Sequence, residues 1–465
     1  MDQKSNSRSQ KIVVLFIATL GSFFSSFMLS SINIAIPSIS AEFSMNAVAI
    51  NWISMSFILS STILLVPFVK LADHFGYKKV FLIGNIIFTV IALATVFSTS
   101  DTMFLALRAI QGIGSAMVIV TNLVIVTYVF PQSERGKAYG IALAAVYLGI
   151  STGPFLGGLL TQFFGWRSLF IATIPFGLLL IITVIWKLKG EWTNRQAGKF
   201  DLAGSLIYMV SLLTLIYGLS LLPSLNGFLL ITVAVICLII FLWWENRVSN
   251  PVLEVKLFRK SRLFAFSNLA ALFNYAATMA IAFLLSLYLQ YIKGMSPSTA
   301  GLIIIASPIF QTILTPVAGR LSDRIDPRFL SSSGLGINSI GLIILLTVGQ
   351  GTPLWVIITG LIIMGIGSAL FVTPNTNAIV SSVEKHMYGI ATATLSTMRQ
   401  IGGMLAQAIT MLMFALFIGK VEISPEYYPA FLSAMRMVFI ISTVFCISGV
   451  FLSQARGKKI TEMVK

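Results

Sequence analysis

The residues best able to do chemistry in this chain are arginines set inside long apolar runs. Arg108, Gln111, Ser115 and Asn122 fall at i, i+3, i+7 and i+14, so on a helix all four share one face. A later run repeats the idea with Ser396, Arg399, Gly403, Gln407 and Thr410, and the first run carries Ser22, Ser26 and Asn33. Polar stripes alone can be interhelical glue, worth about 1 kcal/mol per hydrogen bond. An arginine costs far more, about 3 to over 10 kcal/mol at mid-bilayer, unless it meets water or a partner. The pattern therefore predicts a shared water-accessible pathway with Asn33, Arg108, Gln111, Ser115, Asn122, Arg399 and Gln407 along it. Gln290, Gln311, Asn338 and Asn375 are second-rank candidates, since polar residues in spans also satisfy helix contacts. All 15 acidic residues lie in loops, tails or span ends, which leaves Arg108 without a carboxylate in the core. Asp101 is roughly 10 Å away along the helix axis. Such a charge suits an anionic, zwitterionic or neutral amphiphile.

The elements that must hold these residues follow from composition. The chain has 465 residues, 57% hydrophobic and 10% charged. Apolar runs near 12–36, 47–69, 80–99, 103–129, 138–161, 168–186, 201–221, 227–244, 263–290, 300–318, 330–349, 354–379, 388–418 and 430–453 each match the thickness of a bilayer core. The fold class is an all-α polytopic membrane protein. The first run is too long for a signal-peptide core and reads as a span. The net charge of +16 does not point to nucleic acid, because the basic residues are one-sided. With the N-terminus inside, only Arg167, Lys293 and Lys420 fall outside, while Arg108, Arg399 and Arg436 lie within spans. That excess places both termini in the cytoplasm. Cys237 and Cys446 sit in separate spans with no metal or redox spacing, so neither metal nor cofactor is expected. A membrane enzyme would need a cluster of His, Asp or Cys at a membrane face, and the sequence offers none.

The string GIGSA at 112–116 recurs at 365–369. Lys70-Leu71-Ala72-Asp73 matches Arg320-Leu321-Ser322-Asp323, Glu134 matches Glu384, and Tyr139-Gly140-Ile141 matches Tyr388-Gly389-Ile390, all about 250 residues apart. A duplicated six-span unit explains this, giving an N-terminal bundle at 1–186, two inserted spans with their loops at 187–262, and a C-terminal bundle at 263–465. Parallel six-helix repeats are the plan of one large transporter class. Asp73, Gly76 and Lys78 of one loop, and Gly319, Arg320, Asp323 and Arg324 of its copy, are expected to latch the cytoplasmic ends of the two bundles. Gly149, Gly153 and Gly157, spaced by four, let another helix approach. Pro154 kinks the same span, and Gly158 relaxes it further.

These stretches carry a resemblance. "KLADHFGYKKVFLIG" (70–84) and "GRLSDRIDPR" (319–328) resemble the signature loop of the major facilitator superfamily, and "LALRAIQGIGSA" (105–116) its arginine-bearing fourth-helix motif. "GISTGPFLGG" (149–158) resembles the fifth-helix motif of its drug:proton antiporters. The two extra central spans, with "FDLAGS" (200–205), "LFRKSRLF" (257–264) and "SPSTAGL" (296–302), are similar to its fourteen-helix branch. The resemblance implies two six-helix bundles with two extra central helices, in a plasma membrane. It further implies alternating access, multidrug-type export of small amphiphilic compounds in exchange for protons, and a helix 5 that helps seal the outer end. The expected partners are that substrate, protons and the bilayer, with the protein a monomer. One departure is sharp. Where the family begins Asp-x-Thr-x-x-Asn-x-Ala-x-Pro, this chain reads Met28-x-Ser30-x-x-Asn33-x-Ala35-x-Pro37. The missing acid opens an alternative: a dedicated exporter of one anionic or neutral metabolite or lipid, not coupled through an intramembrane carboxylate.

Overall fold

In hydrocarbon no water can satisfy backbone N–H and C=O groups, so a spanning segment must pair them internally as a helix. The computed structural model describes residues 8–193, 201–248, 251, 255–322, 324–384 and 387–457. Among them are 14 helical spans long and apolar enough to cross a membrane. The first eight are α1 (Arg8–Glu42), α2 (Ala47–Phe75), α3 (Tyr77–Val96), α4 (Asp101–Val129), α5 (Gln132–Phe164), α6 (Arg167–Trp186), α7 (Leu202–Ser220) and α8 (Leu225–Glu245). A short α9 (Val255–Lys260) precedes α10 (Arg262–Thr278), α11 (Ile281–Leu287), α12 (Pro297–Ile304), α13 (Ala306–Ser322), α14 (Pro327–Leu346), α15 (Leu354–Ser381), α16 (Tyr388–Phe417) and α17 (Tyr428–Ala455). Polar side chains start many of them. Asn46, Ser100, Asp201, Ser224, Ser261 and Ser296 each accept a hydrogen bond from a free N–H of the first turn, as helix N-caps do.

An even number of crossings leaves both ends of the chain on one face, here termed the terminal face; the opposite one is the distal face. α1 packs on α5, α4 and α6, while α2 and α3 pack on α4. In the second group α10 packs on α16 and α17, and α13 and α14 pack on α15. The repeated GIGSA explains why the two groups look alike. A Cβ on Gly114 would lie 2.7 Å from the Gly84 carbonyl of α3, and one on Gly367 would lie 2.6 Å from the Gly334 carbonyl of α14. Gly112 meets the Phe57 carbonyl of α2 in the same way that Gly365 meets the Ser307 carbonyl of α13. Each copy thus seats one helix between two neighbours at backbone contact.

The inserted pair lies across a seam between the groups. Tyr208, Leu212 and Ile216 of α7 cluster with Met55, Leu59 and Val66 of α2 and with Met404 and Ala408 of α16. Two expected spans are broken. The run 300–318 divides at Ile305, because Pro308 has no N–H to offer the Ile304 carbonyl and its ring crowds that turn. The run 263–290 divides at Met279–Ala280 and ends in a π-helical turn, Tyr288–Ile292; no proline or glycine marks that break.

Candidate functional site

The two groups of helices meet most closely at the distal face, and α5 makes the main junction. Its glycines divide the work. Gly149, Gly153 and Gly157 lie on α1, with a Cβ at Gly157 only 2.6 Å from the Ser31 Cβ. Pro154 and Gly158 point the other way: Gly158 would meet the Pro297 carbonyl of α12 at 2.5 Å, and Gly301 of α12 abuts the Pro154 carbonyl. Hydrogen bonds join the same end. Ser286 Oγ of α11 donates to the Asn33 carbonyl at 2.7 Å, and Gln290 Nε2 to the Ile34 carbonyl at 3.0 Å. Ser298 donates to Gln162 Oε1, and the Ala47 N–H donates to the Val421 carbonyl at 2.8 Å.

Toward the terminal face this seam parts. Gly158, Pro154, Ser151, Tyr147, Ala144 and Gly140 recur along one face of α5 at helical spacing. At the distal end of that face the helices touch backbone to backbone. Ser151 still reaches Thr312 Oγ1 of α13, at 3.1 Å. Ala144 is exposed, and a Cβ at Gly140 would meet no heavy atom within 4 Å. The packing changes from sealed to open along one helix face.

Tyr147 lies where it changes. The guanidinium of Arg399, on α16, sits 5.0 Å from the centre of the Tyr275 ring of α10, and Tyr147 belongs to the buried cluster against which Tyr275 packs. Arg399 Nε is buried with no hydrogen-bond partner. Gln407 is 3% exposed, and its Oε1 is likewise unpartnered. Asn33 accepts from Ser54 Oγ at 3.4 Å and carries the cross-seam bond to Ser286. Sequence reasoning missed both tyrosines, because phenol rings blend into an apolar run. The i, i+4 step from Tyr147 to Ser151 was the available signal.

Arg108 is elsewhere, inside the N-terminal group of helices. It is 0% exposed. Its Nη1 donates to Gln111 Oε1 at 2.7 Å, its Nε to the Ile53 carbonyl at 3.4 Å, and its guanidinium lies 4.5 Å from the Phe57 ring centre. α2 supplies two of those partners, and Gly112 admits α2 that closely. Ser115 is buried in the same bundle. Asn122 clasps α4 to α1, donating to the Ala18 carbonyl at 3.1 Å and Ser22 Oγ at 2.8 Å.

In this arrangement each signature loop meets its own bundle. Asp73 accepts from the Tyr77 hydroxyl at 2.7 Å, and Gly76 turns the chain with a φ of 104°. The start of α3 is then held by the segment after α6 of its own bundle. The Lys78 N–H donates to Glu191 Oε1 at 2.8 Å, Lys78 Nζ to the Leu188 carbonyl at 2.6 Å, and the Tyr77 N–H to the Trp192 carbonyl at 2.9 Å. A carboxylate at a helix N-terminus is favoured by the dipole and by the free N–H groups there. In the second loop Gly319 approaches Thr373, while Arg320 and Arg324 are exposed. Asp323 lies outside the described residues. Among the described residues no group of His, Cys, Asp and Glu is arranged to hold a metal.

Comparison with known proteins matches the family model described as Major Facilitator Superfamily to residues 18–265 and 267–459. The riboflavin transporter RibZ of Clostridioides difficile is 29% identical over 444 residues, 96% of this chain and 97% of that one. The multidrug resistance protein Stp of Mycobacterium tuberculosis is 30% identical over 406 residues, 86% and 75% of the two chains. Among solved structures, a bacterial homolog to the human lysosomal transporter Spinster, in an inward-facing and occupied conformation, superposes with a TM-score of 0.66 at 18% identity. That match covers 96% of this chain and 97% of the other.

Proposed function

The chain belongs to the Major Facilitator Superfamily, and on that premise we propose that it exports small amphiphilic compounds by alternating access, in exchange for protons. The observation that carries the reading is the single face of α5 that is sealed at Gly158 and open at Gly140. Two bundles joined at one end and parted at the other are half of an alternating-access cycle. We take the terminal face as cytoplasmic and the membrane as the plasma membrane, on the strength of the basic residues gathered there, such as Lys78, Lys187, Arg247 and Arg328. In this reading Asn33, Arg399 and Gln407 line the pathway. Arg108, Gln111, Ser115 and Asn122 hold the N-terminal bundle in shape. Gly319, Arg320 and Arg324 remain free to meet the first bundle in the other half of the cycle.

Purified protein in liposomes, under an imposed pH gradient, tests the reading with cationic, neutral and anionic amphiphiles run in parallel. Efflux that follows the gradient and collapses with an uncoupler is the expected result. Transport of every probe at the rate of protein-free liposomes overturns it. A dedicated exporter of one anionic or neutral compound is the second reading. It is favoured by Met28, fully buried where the family's pattern carries an acid, and agrees with a relative named as a riboflavin transporter. Saturable transport of one compound, with the other probes excluded, selects it.

A further inference from the structure

We infer that Arg399, Tyr275 and Tyr147 form a recognition site for a planar aromatic anion, at the floor of the opening between the bundles. The inference rests on the transport reading above and names the substrate class for it.

The three residues come from both sides of the seam. Tyr147 lies near the middle of the 33-residue α5, and Arg399 in the central part of the 30-residue α16. Tyr147 shares the α5 face of Ser151 and Pro154, which turns toward the second bundle. It is 9% exposed and sits one turn below the last cross-seam hydrogen bond on that face. Arg399 is partly exposed, while its Nε is buried and unpaired.

A buried charge is ordinarily paired or hydrogen-bonded. Arg399 has a ring face and a neighbouring phenol but no carboxylate. Among the described residues every acidic side chain lies in a loop or within a turn of a helix end. An anion entering between the bundles would supply the missing counter-charge. The donors of a guanidinium form a planar fork that matches a carboxylate or a similar delocalised anion. Two aromatic rings beside it favour a flat π-system. Arg108 differs in access: it is 0% exposed, with Nη1 on Gln111, Nε on the Ile53 carbonyl and Nη2 buried and unpaired.

The test uses two dyes that share one ring system, anionic fluorescein and cationic rhodamine 123. Both are titrated against the full-length protein in nanodiscs. The wild type is expected to bind fluorescein at least tenfold more tightly than rhodamine 123. Arg399→Gln should erase that preference, and Arg399→Lys, with charge but no fork, should keep part of it. Arg436→Gln, which removes an exposed arginine from α17, should leave it intact. Tyr147→Ala should weaken both dyes to a similar degree, and it carries the test if Arg399→Gln fails to fold. Equal binding of the two dyes by the wild type overturns the site, as does an undiminished preference in Arg399→Gln or unchanged binding in Tyr147→Ala. Counterflow of the same dyes in liposomes separates this failure from that of the transport reading. Rhodamine 123 carried without an anion preference sinks the site alone, whereas anion binding without counterflow sinks transport alone.

Discussion

At the scale of single residues, Arg108 shows how a buried charge is made tolerable without an acid. A neutral amide, a backbone carbonyl and an aromatic face share the guanidinium. Each is weaker than an ion pair, yet none must itself be stripped of charge solvation. The amide and the arginine are consequently interdependent. Arg108→Leu leaves Gln111 Oε1 buried without its donor, which costs about 1–3 kcal/mol, so the melting temperature in detergent should fall. Adding Gln111→Leu removes both partners and should restore much of the loss. If the double variant is less stable than the single one, the pair is not the unit described. The stripe containing Arg108 was legible in the sequence because period 3.6 fixes which residues share a face. Its environment was not, because that periodicity is silent about which neighbouring helix the face meets. Met28 was legible for a different reason: a missing acid can be seen by reading along the chain alone.

Single elements carry the duplication. The seam between α3 and α4 and the seam between α14 and α15 rest on backbone contact at glycines, where lost dispersion cannot be recovered by side-chain adjustment. α14 contains its own control. Gly334 would place a Cβ 2.6 Å from the Gly367 carbonyl, while Gly336, two residues on, has nothing within 4 Å. Gly336→Ala should be neutral or stabilising by up to about 1 kcal/mol, through helix propensity. Gly334→Ala should destabilise clearly, because it forces two backbones apart. Equal thermal shifts for the two would refute the close-packed seam. The short segment after α6 makes a second test. Glu191 accepts from the first turn of α3, so Glu191→Ala should cost about 0.5–2 kcal/mol. Amide exchange should then quicken at Lys78 and its neighbours, and unchanged exchange there would deny the cap. This docking could not be read from sequence. The signature loop and its copy look like a matched pair, but the partner of the first is a run of six residues with no motif of its own.

At the scale of the whole molecule, the number of spans, the doubling and the inserted pair were all visible in the chain, since hydropathy and repeats are properties of sequence order. Which end of the seam is closed was not visible. On the alternating-access reading, a sequence encodes contacts for two arrangements, and nothing in its letters says which set is made. The structure holds the distal set: Ser286 to Asn33, Gln290 to Ile34, Ser298 to Gln162. If transport requires that set to break once per cycle, a covalent tie across it must stop turnover without preventing entry from the terminal face. Cysteines at Gln162 and Ser298, whose side chains already touch, provide the tie once Cys237 and Cys446 are replaced. Oxidation should bring efflux close to the background of protein-free liposomes, and reductant should restore it. Substrate binding measured in detergent should survive oxidation, because the opening beside Gly140 and Ala144 is untouched by the link. Full cross-linking with undiminished efflux would mean that the distal seam never opens, and the substrate would then need a route other than the space between the bundles.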